Sequence, residues 1–129
     1  MAAVWHPKPG DCLLINSGPV GKHLFVIVLD TKAGGQHQIV SVPVCTARDY
    51  ARIDDSCLIA PGEHPFVKAD SFIQYRDTRI DPIGHLQKCV REGTFTPHTS
   101  ASQELVAKIK AGLAGSKFVK RHIKDLLGC

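Results

Sequence analysis

The sequence contains no uncharged apolar run close to the roughly 20 residues that a membrane-spanning helix requires. The segment at residues 1–9 is too short and too interrupted by proline to be a secretory signal peptide. These absences exclude a protein with helical membrane spans. We therefore expect a cytoplasmic location and no membrane partner.

The chain also lacks the close spacing of cysteine and histidine that marks a metal site or a disulfide framework. Its five cysteines are an odd number without a Cys-x-x-Cys pair, and its seven histidines are dispersed. We expect reduced thiols that mainly fill the core, with a redox or nucleophilic role as the alternative. No metal or other cofactor is expected.

The chain is too short for several domains. Its 129 residues and 14.0 kDa fit a single domain over 1–129 and leave no room for a second, cofactor-binding domain. Apolar residues are 43% and charged residues 22%, values typical of a globular chain. Aromatic residues are only 6%, so we expect the core to need most of them; Trp5, Phe72 and Tyr75 are the candidates for stacking on a nucleic-acid base.

Positive charge is in excess only in the last fifth of the chain. Residues 1–100 carry ten Lys or Arg and ten Asp or Glu, whereas residues 101–129 carry six and two, which accounts for the whole net charge of +4. A basic segment on a neutral body favours contact with a polyanion. The alternative is a solvated helix face.

Short apolar runs between turn-forming residues predict a mainly β structure. One run, Leu24–Leu29, is apolar at every position, which indicates a central strand buried on both faces. Neighbouring runs at similar spacing favour a small antiparallel barrel or sandwich. The predicted strands are Cys12–Ile15, Leu24–Leu29, Gln38–Val42, Cys57–Ile59 and Phe72–Tyr75, with or without a sixth at Thr78–Ile80.

After residue 80 the apolar residues recur at helical spacing. Asp81-Pro82 predicts an N-cap and a first helical residue, and Gly93 predicts the end of that helix. Ser100-x-x-Gln103 resembles a capping box before a second helix that ends at Gly115. A third helix follows and presents four cations on one face, at Lys117, Lys120, Arg121 and Lys124.

Several local strings, in this order, resemble the PemK/MazF family of bacterial toxin endoribonucleases. As in that family, Gly10-Asp11 leads into the first strand, and the apolar strand Leu24–Leu29 follows a loop. Val42–Thr46 is similar to the family's Val-Pro-x-Thr-like string. Ser71–Gln74 is similar to its Ser-apolar-apolar-Gln element, and Gly93–Pro97 to the entry of its final helix. The resemblance covers most of the chain up to about Gly115.

This resemblance implies an α+β, mainly β fold, with an SH3-like antiparallel β-barrel over residues 10–80 and a short helix and C-terminal helices over 81–129. It implies a toxin of a type II toxin–antitoxin system, a metal-independent endoribonuclease that cleaves single-stranded RNA and is neutralised by a cognate antitoxin protein. The family dimerises to build its RNA groove, so a homodimer is expected. The chain departs from the family at Lys22-His23, where the family has Arg-Pro with a catalytic arginine.

Metal-free RNA cleavage uses the 2′-hydroxyl as nucleophile, so the protein must take its proton, stabilise the phosphorane and protonate the leaving 5′-oxygen. Lys22-His23 follows the first loop and Thr46 follows the third strand, so an antiparallel meander places them at one rim. We predict that Thr46 hydrogen-bonds the scissile phosphate and that His23 shuttles the proton. Lys22 or Arg48 then stabilises the developing charge. The alternative for His23 is a loop histidine without a catalytic role. The alternative for Thr46 is a hydroxyl that only stabilises a turn.

Other cations are candidate RNA contacts. Arg76 and Arg79 flank Asp77 near the end of a strand and could bind phosphate. The alternative is that these two arginines form surface ion pairs with Asp77. His64 lies between Glu63 and a proline, where capping of a rigid turn is the alternative to catalysis. The predicted RNA-binding residues are Arg48, Arg76, Arg79, Lys117, Lys120, Arg121 and Lys124.

Three classes of function are open at this point. The first is the ribonuclease toxin. The second is a barrel that has lost cleavage and binds RNA or a protein partner, which the Lys22-His23 departure favours. The third is a non-enzymatic toxin on the related CcdB barrel that poisons a protein target. Cleavage of a mixed RNA in EDTA separates the first class from the other two.

Overall fold

A computed structural model describes residues 5–16, 21–31, 37–47, 53–117, 119 and 121. In this part of the chain, seven strands form one open, antiparallel sheet that packs with two helices in an α+β fold. The strands are β1 (Cys12–Asn16), β2 (Lys22–Thr31), β3 (Gln38–Thr46), β4 (Leu58–Ile59), β5 (Ser71–Ile73), β6 (Arg79–Pro82) and β7 (Phe95–His98). The helices are α1 (Ile83–Arg91) and α2 (Gln103–Gly115), and a 3-10 turn spans Tyr75–Asp77. Neither helix is long and apolar enough to cross a membrane.

The sheet has the strand order β4-β5-β3-β2-β1-β7, and β6 pairs with β3 beside β5. Strand β3 therefore changes partner along one edge, from β6 at Gln38–Ser41 to β5 at Val44–Thr46. The predicted end of this strand before Pro43 was wrong. The Pro43 carbonyl accepts a hydrogen bond from the Gln74 amide at 3.1 Å, and the N and C=O of one strand residue face the same side. The position at which Pro43 lacks an N–H group therefore lies between the segments of β3 that pair with β5 and with β6. No hydrogen bond to either strand is lost there, and β3 continues through the proline.

Both faces of the central strand β2 are buried, as its unbroken apolar run predicted. Leu24, Val26 and Val28 pack in a core that includes residues of α2, whereas Phe25 and Ile27 pack in a core that includes residues of α1. All five side chains are buried. Successive strand residues point to opposite faces, so the sheet has an α2 face, on the side of Leu24, and an α1 face, on the side of Phe25.

Helix α1 begins later than the sequence predicted. Asp81-Pro82 belongs to β6, where Asp81 pairs with Ile39 of β3, and the helix begins at Ile83 without a side-chain cap. The expected N-cap at Asp81 is wrong because its carboxylate accepts hydrogen bonds from Arg79 instead. The helix ends near the predicted glycine, Gly93, whose φ of 78° lies in the left-handed region.

Helix α2 is capped by Ser102, whose hydroxyl accepts a hydrogen bond from the Leu105 amide at 3.1 Å. The predicted cap at Ser100 was therefore wrong by two residues, whereas the predicted end at Gly115 is confirmed. Strand β7 was not predicted, because Thr96 and Pro97 interrupt its apolar pattern; it pairs with β1 through four residues. Of the predicted last helix, residues 118, 120 and 122–129 lie outside the described part, including Lys120 and Lys124.

A buried histidine connects the segments that follow the two outermost strands. The Nδ1 atom of His64 accepts a hydrogen bond from the Phe66 amide at 3.0 Å, so Nε2 carries the proton and donates it to the Thr99 carbonyl at 2.6 Å. His64 is 2% exposed. The first bond caps the turn after β4, and the second ties this turn to the residue after β7. Both ring nitrogens are therefore used in packing the fold.

The cysteines at positions 12, 45, 57 and 89 are free thiols, and Cys129 lies outside the described residues. Three of the four are buried, as expected for core residues. Burial raises the pKa of the Cys12 thiol from 9.0 to about 12. Such a thiol stays protonated at neutral pH and is a poor nucleophile.

Candidate functional site

One end of the sheet brings together residues from four neighbouring strands. Asn16 of β1 pairs with Lys22 of β2, and Thr46 of β3 pairs with Ser71 of β5. The β2–β3 ladder pairs Leu24 with Val44, and continuing this register by two residues places Lys22 opposite Thr46. Directly opposed residues on neighbouring strands are close enough for their side chains to act on one ligand. The two chain segments predicted to meet at one rim thus lie side by side.

The alternation of side chains along β2 separates the predicted catalytic residues. Lys22 lies on the α2 face, two residues from Leu24, and Thr46 lies on the same face, two residues from Val44. His23 pairs with Ile15 and lies on the α1 face. The structure therefore places Lys22 and Thr46 on the same face of the sheet and the His23 ring on the opposite face. Arg48 lies outside the described residues.

Lys22 and Thr46 are both exposed, whereas His23 is partly buried. Among the described residues, neither Lys22 nor Thr46 makes a side-chain hydrogen bond or ion pair, so both side chains are available to a ligand. The Nδ1 atom of His23 is enclosed and has no hydrogen-bond partner among the described residues. An ammonium group beside a hydroxyl group is suited to bind a phosphate through a charged and a neutral hydrogen bond.

A cleft of about 240 Å³ opens on the α2 face beside Thr46. The loop on its far side is held to the sheet by two hydrogen bonds, from the Ala47 amide to the Asp70 carbonyl at 2.8 Å and from the Ser71 hydroxyl to the Ala69 carbonyl at 2.9 Å. The cleft is lined by Val44, Thr46, Phe66, Val67, Lys68, Ala69 and Ser71. Sequence analysis missed Lys68, and the one signal for it was a lysine directly after the apolar pair Phe66-Val67 in a loop.

A second cation lies in the 3-10 turn that follows β5. Arg76 is exposed on the 3-10 turn, and the Gln74 amide oxygen, when it faces the guanidinium, accepts from its Nε at 3.2 Å and Nη2 at 3.0 Å. Burial raises the pKa of the nearby Cys45 thiol to about 11, the Asp77 carboxylate adds to this rise and Arg76 opposes it. Arg76 is thus held in place while its charge is open to solvent, as RNA contact requires.

Arg79, in contrast, is engaged in the fold. Its Nε and Nη2 atoms donate to the two oxygens of Asp81, each at 3.1 Å, and its guanidinium carbon lies 5.2 Å from the ring centre of Phe95 and 5.9 Å from that of Phe25. The Asp81 side chain is 8% exposed and that of Arg79 32% exposed. The expected Arg-Asp pairing is therefore present, but with Asp81 rather than Asp77.

Arg79→Lys is expected to lower the free energy of unfolding by about 1–2 kcal/mol, because lysine cannot hold both oxygens of the largely buried Asp81 carboxylate. Urea unfolding measures the effect. Arg76→Lys is the matched control, since Arg76 is exposed and has only Gln74 as a side-chain partner among the described residues, and it should leave the stability unchanged. Equal decreases in the two variants would contradict the structural role of Arg79.

In the C-terminal segment, Lys117 and Arg121 are exposed, which leaves their charges open to a polyanion. Within the described ranges, no group of three or more His, Cys, Asp or Glu side chains is arranged to hold a metal ion.

The chain matches no model of a known protein family, and a comparison with the sequences of curated proteins finds no match either.

Proposed function

We propose that the chain binds single-stranded RNA across the Lys22/Thr46 end of the sheet and cleaves it as a metal-independent endoribonuclease of the PemK/MazF type. The observation that supports this most is the β2–β3 register, whose continuation by two residues beyond the pair Leu24–Val44 places the exposed Lys22 opposite the exposed Thr46. Arg76, in the 3-10 turn after β5 and near Cys45 of β3, adds a positive charge for a neighbouring phosphate.

In the proposed reaction, the 2′-hydroxyl oxygen attacks the adjacent phosphorus and forms the 2′-O–P bond, while the P–O5′ bond breaks. The Lys22 ammonium and the Thr46 hydroxyl bind the non-bridging oxygens, on which negative charge builds up in the phosphorane. The proposal keeps the predicted role of His23: its imidazole takes the 2′-hydroxyl proton and returns a proton to the leaving 5′-oxygen, which requires the RNA to pass around the end of β2 from the α2 face to the α1 face. The products are a 2′,3′-cyclic phosphate and a 5′-hydroxyl.

Binding without cleavage is the second candidate, and the position of His23 favours it. Its ring lies on the α1 face, whereas Lys22 and Thr46 lie on the α2 face. Lys22 also stands where the PemK/MazF family has a catalytic arginine, and its ammonium lacks the planar fork that holds two phosphate oxygens. In this case the same surface recruits RNA or a protein without breaking a bond.

The first test is incubation of a mixed-sequence RNA with the pure protein in excess EDTA. The nuclease proposal predicts fragments that end in a cyclic phosphate and a 5′-hydroxyl. Intact RNA that is nevertheless retained on the protein supports the binding module instead. Intact RNA without retention contradicts both and leaves a CcdB-like toxin, which acts by contact with a protein target.

We also propose that the sheet curls into an SH3-like barrel. Two observations support this: β3 is shared between β5 and β6 across the 3-10 turn, and His64 ties the turn after β4 to the residue after β7. The homodimer, the cognate antitoxin and the cytoplasmic location belong to the same proposal through the PemK/MazF resemblance. A sedimentation experiment that finds only monomers would contradict the dimer.

The basic C-terminal segment is proposed as an additional RNA-binding surface. If it neutralises phosphates, replacing its four cations with glutamine should flatten the salt dependence of RNA binding, by about 0.7 in the slope of log K against log salt for each phosphate that is no longer neutralised. A matched control removes four exposed cations that lie before residue 116. The test set is Lys117, Lys120, Arg121 and Lys124, and the control set is Lys8, Lys88, Arg91 and Lys110. An unchanged slope in the test set removes this segment from the interface.

A further inference from the structure

The cleft beside Thr46 is of a size that fits one ring system. Its volume of about 240 Å³ is several times the roughly 30 Å³ of a water molecule. It is smaller than the roughly 300–1,000 Å³ of pockets that enclose drug-sized ligands. The cleft shares Thr46 with the proposed phosphate site, so a base bound in it can belong to the nucleotide that carries that phosphate.

Its walls are apolar and its polar groups are few. Val44 and Val67 are buried walls, and Phe66 contributes a partly exposed ring. The Ser71 hydroxyl donates its proton to the Ala69 carbonyl, so it is not free to donate to a ligand. Among the described residues the free side-chain donors at the cleft are the exposed Lys68 ammonium and the Thr46 hydroxyl. Apolar walls that include an aromatic ring, with donors at one edge, suit a nucleobase.

The donor set determines which base fits. The lysine ammonium donates hydrogen bonds and cannot accept them. Uracil and guanine present a carbonyl oxygen at the edge where cytosine and adenine present an amino group. When a base presents this edge to Lys68, a keto base offers an acceptor to the ammonium group, whereas an amino base opposes one donor with another.

We infer that this cleft binds one nucleobase with a keto edge, uracil or guanine, next to the phosphate held by Lys22 and Thr46. The inference rests on the proposed RNA-binding function and adds its sequence preference. Lys68 selects the base through its ammonium group, and the walls bind the ring without selecting it.

The test compares non-cleavable 2′-O-methyl hexamers of uridine and cytidine by fluorescence anisotropy. The native chain should bind the uridine hexamer about tenfold or more tightly, the ratio expected for one charged hydrogen bond. Lys68→Met keeps the aliphatic stem and removes the donor, so it should bring this ratio close to one. Lys88→Met, at an exposed position on α1, is the matched control and should weaken both affinities slightly and leave their ratio unchanged.

The outcomes separate this inference from the proposed function. Tight binding of both hexamers with equal affinity, or a preference that persists in Lys68→Met, overturns the base pocket and leaves RNA binding in place. A native chain that binds neither hexamer overturns both proposals. A preference for uridine that Lys68→Met abolishes, while cytidine binding changes little, supports the pocket.

Discussion

Gly112→Ala is expected to lower the free energy of unfolding by about 3 kcal/mol, although alanine is the better helix former. A Cβ atom at this position of α2 would collide with the Tyr75 hydroxyl and would lie 2.8 Å from the Ser56 carbonyl oxygen. Tyr75 is fully buried, and its hydroxyl donates to the Ile109 carbonyl at 2.7 Å. The methyl group would therefore force the helix from the sheet or break this buried hydrogen bond, and both effects are destabilising.

Gly115→Ala in the same helix is the matched control. No atom lies within 4 Å of a Cβ built at this position, among the residues that the structure describes, so the substitution should be neutral or stabilising by up to about 1 kcal/mol. Chemical unfolding followed by circular dichroism measures both variants. Similar stabilities for the two would contradict the close approach of α2 to Tyr75.

The second large effect is expected on RNA cleavage. Lys22→Ala and Thr46→Ala should each lower the cleavage rate in EDTA by about 10²-fold, the typical loss when one donor to a developing oxyanion is removed. The reason is that each side chain supplies a hydrogen bond that strengthens as charge builds up in the phosphorane. Single-turnover rates on one labelled RNA measure the loss apart from product release.

Lys110→Ala controls for the loss of positive charge, because Lys110 is exposed on α2 and is not one of the proposed RNA-binding residues. It should change the rate by no more than a few-fold. His23→Ala is measured in parallel: a lower rate at unchanged RNA affinity assigns the proton transfers to His23. Full activity in both Lys22→Ala and Thr46→Ala would move the site elsewhere on the molecule.

The sequence was most informative where one residue pattern had one physical solution. The run Leu24–Leu29 has no polar position, so only a strand buried on both faces accommodates it, and β2 has this environment. The stop signal at Gly93 was also reliable, because its left-handed φ of 78° ends a helix without a tertiary partner. Helix α2 ends at the predicted Gly115, but the residue that follows, Ser116, is held by a hydrogen bond from its hydroxyl to the Asp54 carboxylate.

Predictions failed where tertiary partners decide the local structure. Asp81 has the properties of an N-cap, but its carboxylate is bound by Arg79 within β6. Pro43 is tolerated in the middle of β3 only because the neighbouring strand changes there, which no local pattern reveals. Strand β7 has little apolar character of its own and is defined by its pairing with β1.

The candidate site was predictable in part. An antiparallel connection between apolar runs was enough to expect Lys22-His23 and Thr46 at one end of the sheet. The period of two along a strand also implies that neighbours face opposite ways, which separates His23 from Lys22. The cleft and Lys68 were beyond sequence reasoning, since they depend on how the loop before β5 folds over the end of β3.

A double-mutant cycle on RNA affinity tests most directly whether Lys22 and Thr46 hold one phosphate between them. The four proteins are the native chain, Lys22→Ala, Thr46→Ala and the double variant, measured with one non-cleavable 2′-O-methyl RNA at one salt concentration. If both side chains bind the same phosphate, the double variant should bind only slightly less tightly than the weaker single variant, with a coupling of about 0.5–3 kcal/mol. If the fold-decrease in affinity of the double variant equals the product of the fold-decreases of the two single variants, the two residues act independently. That result would contradict the shared phosphate site.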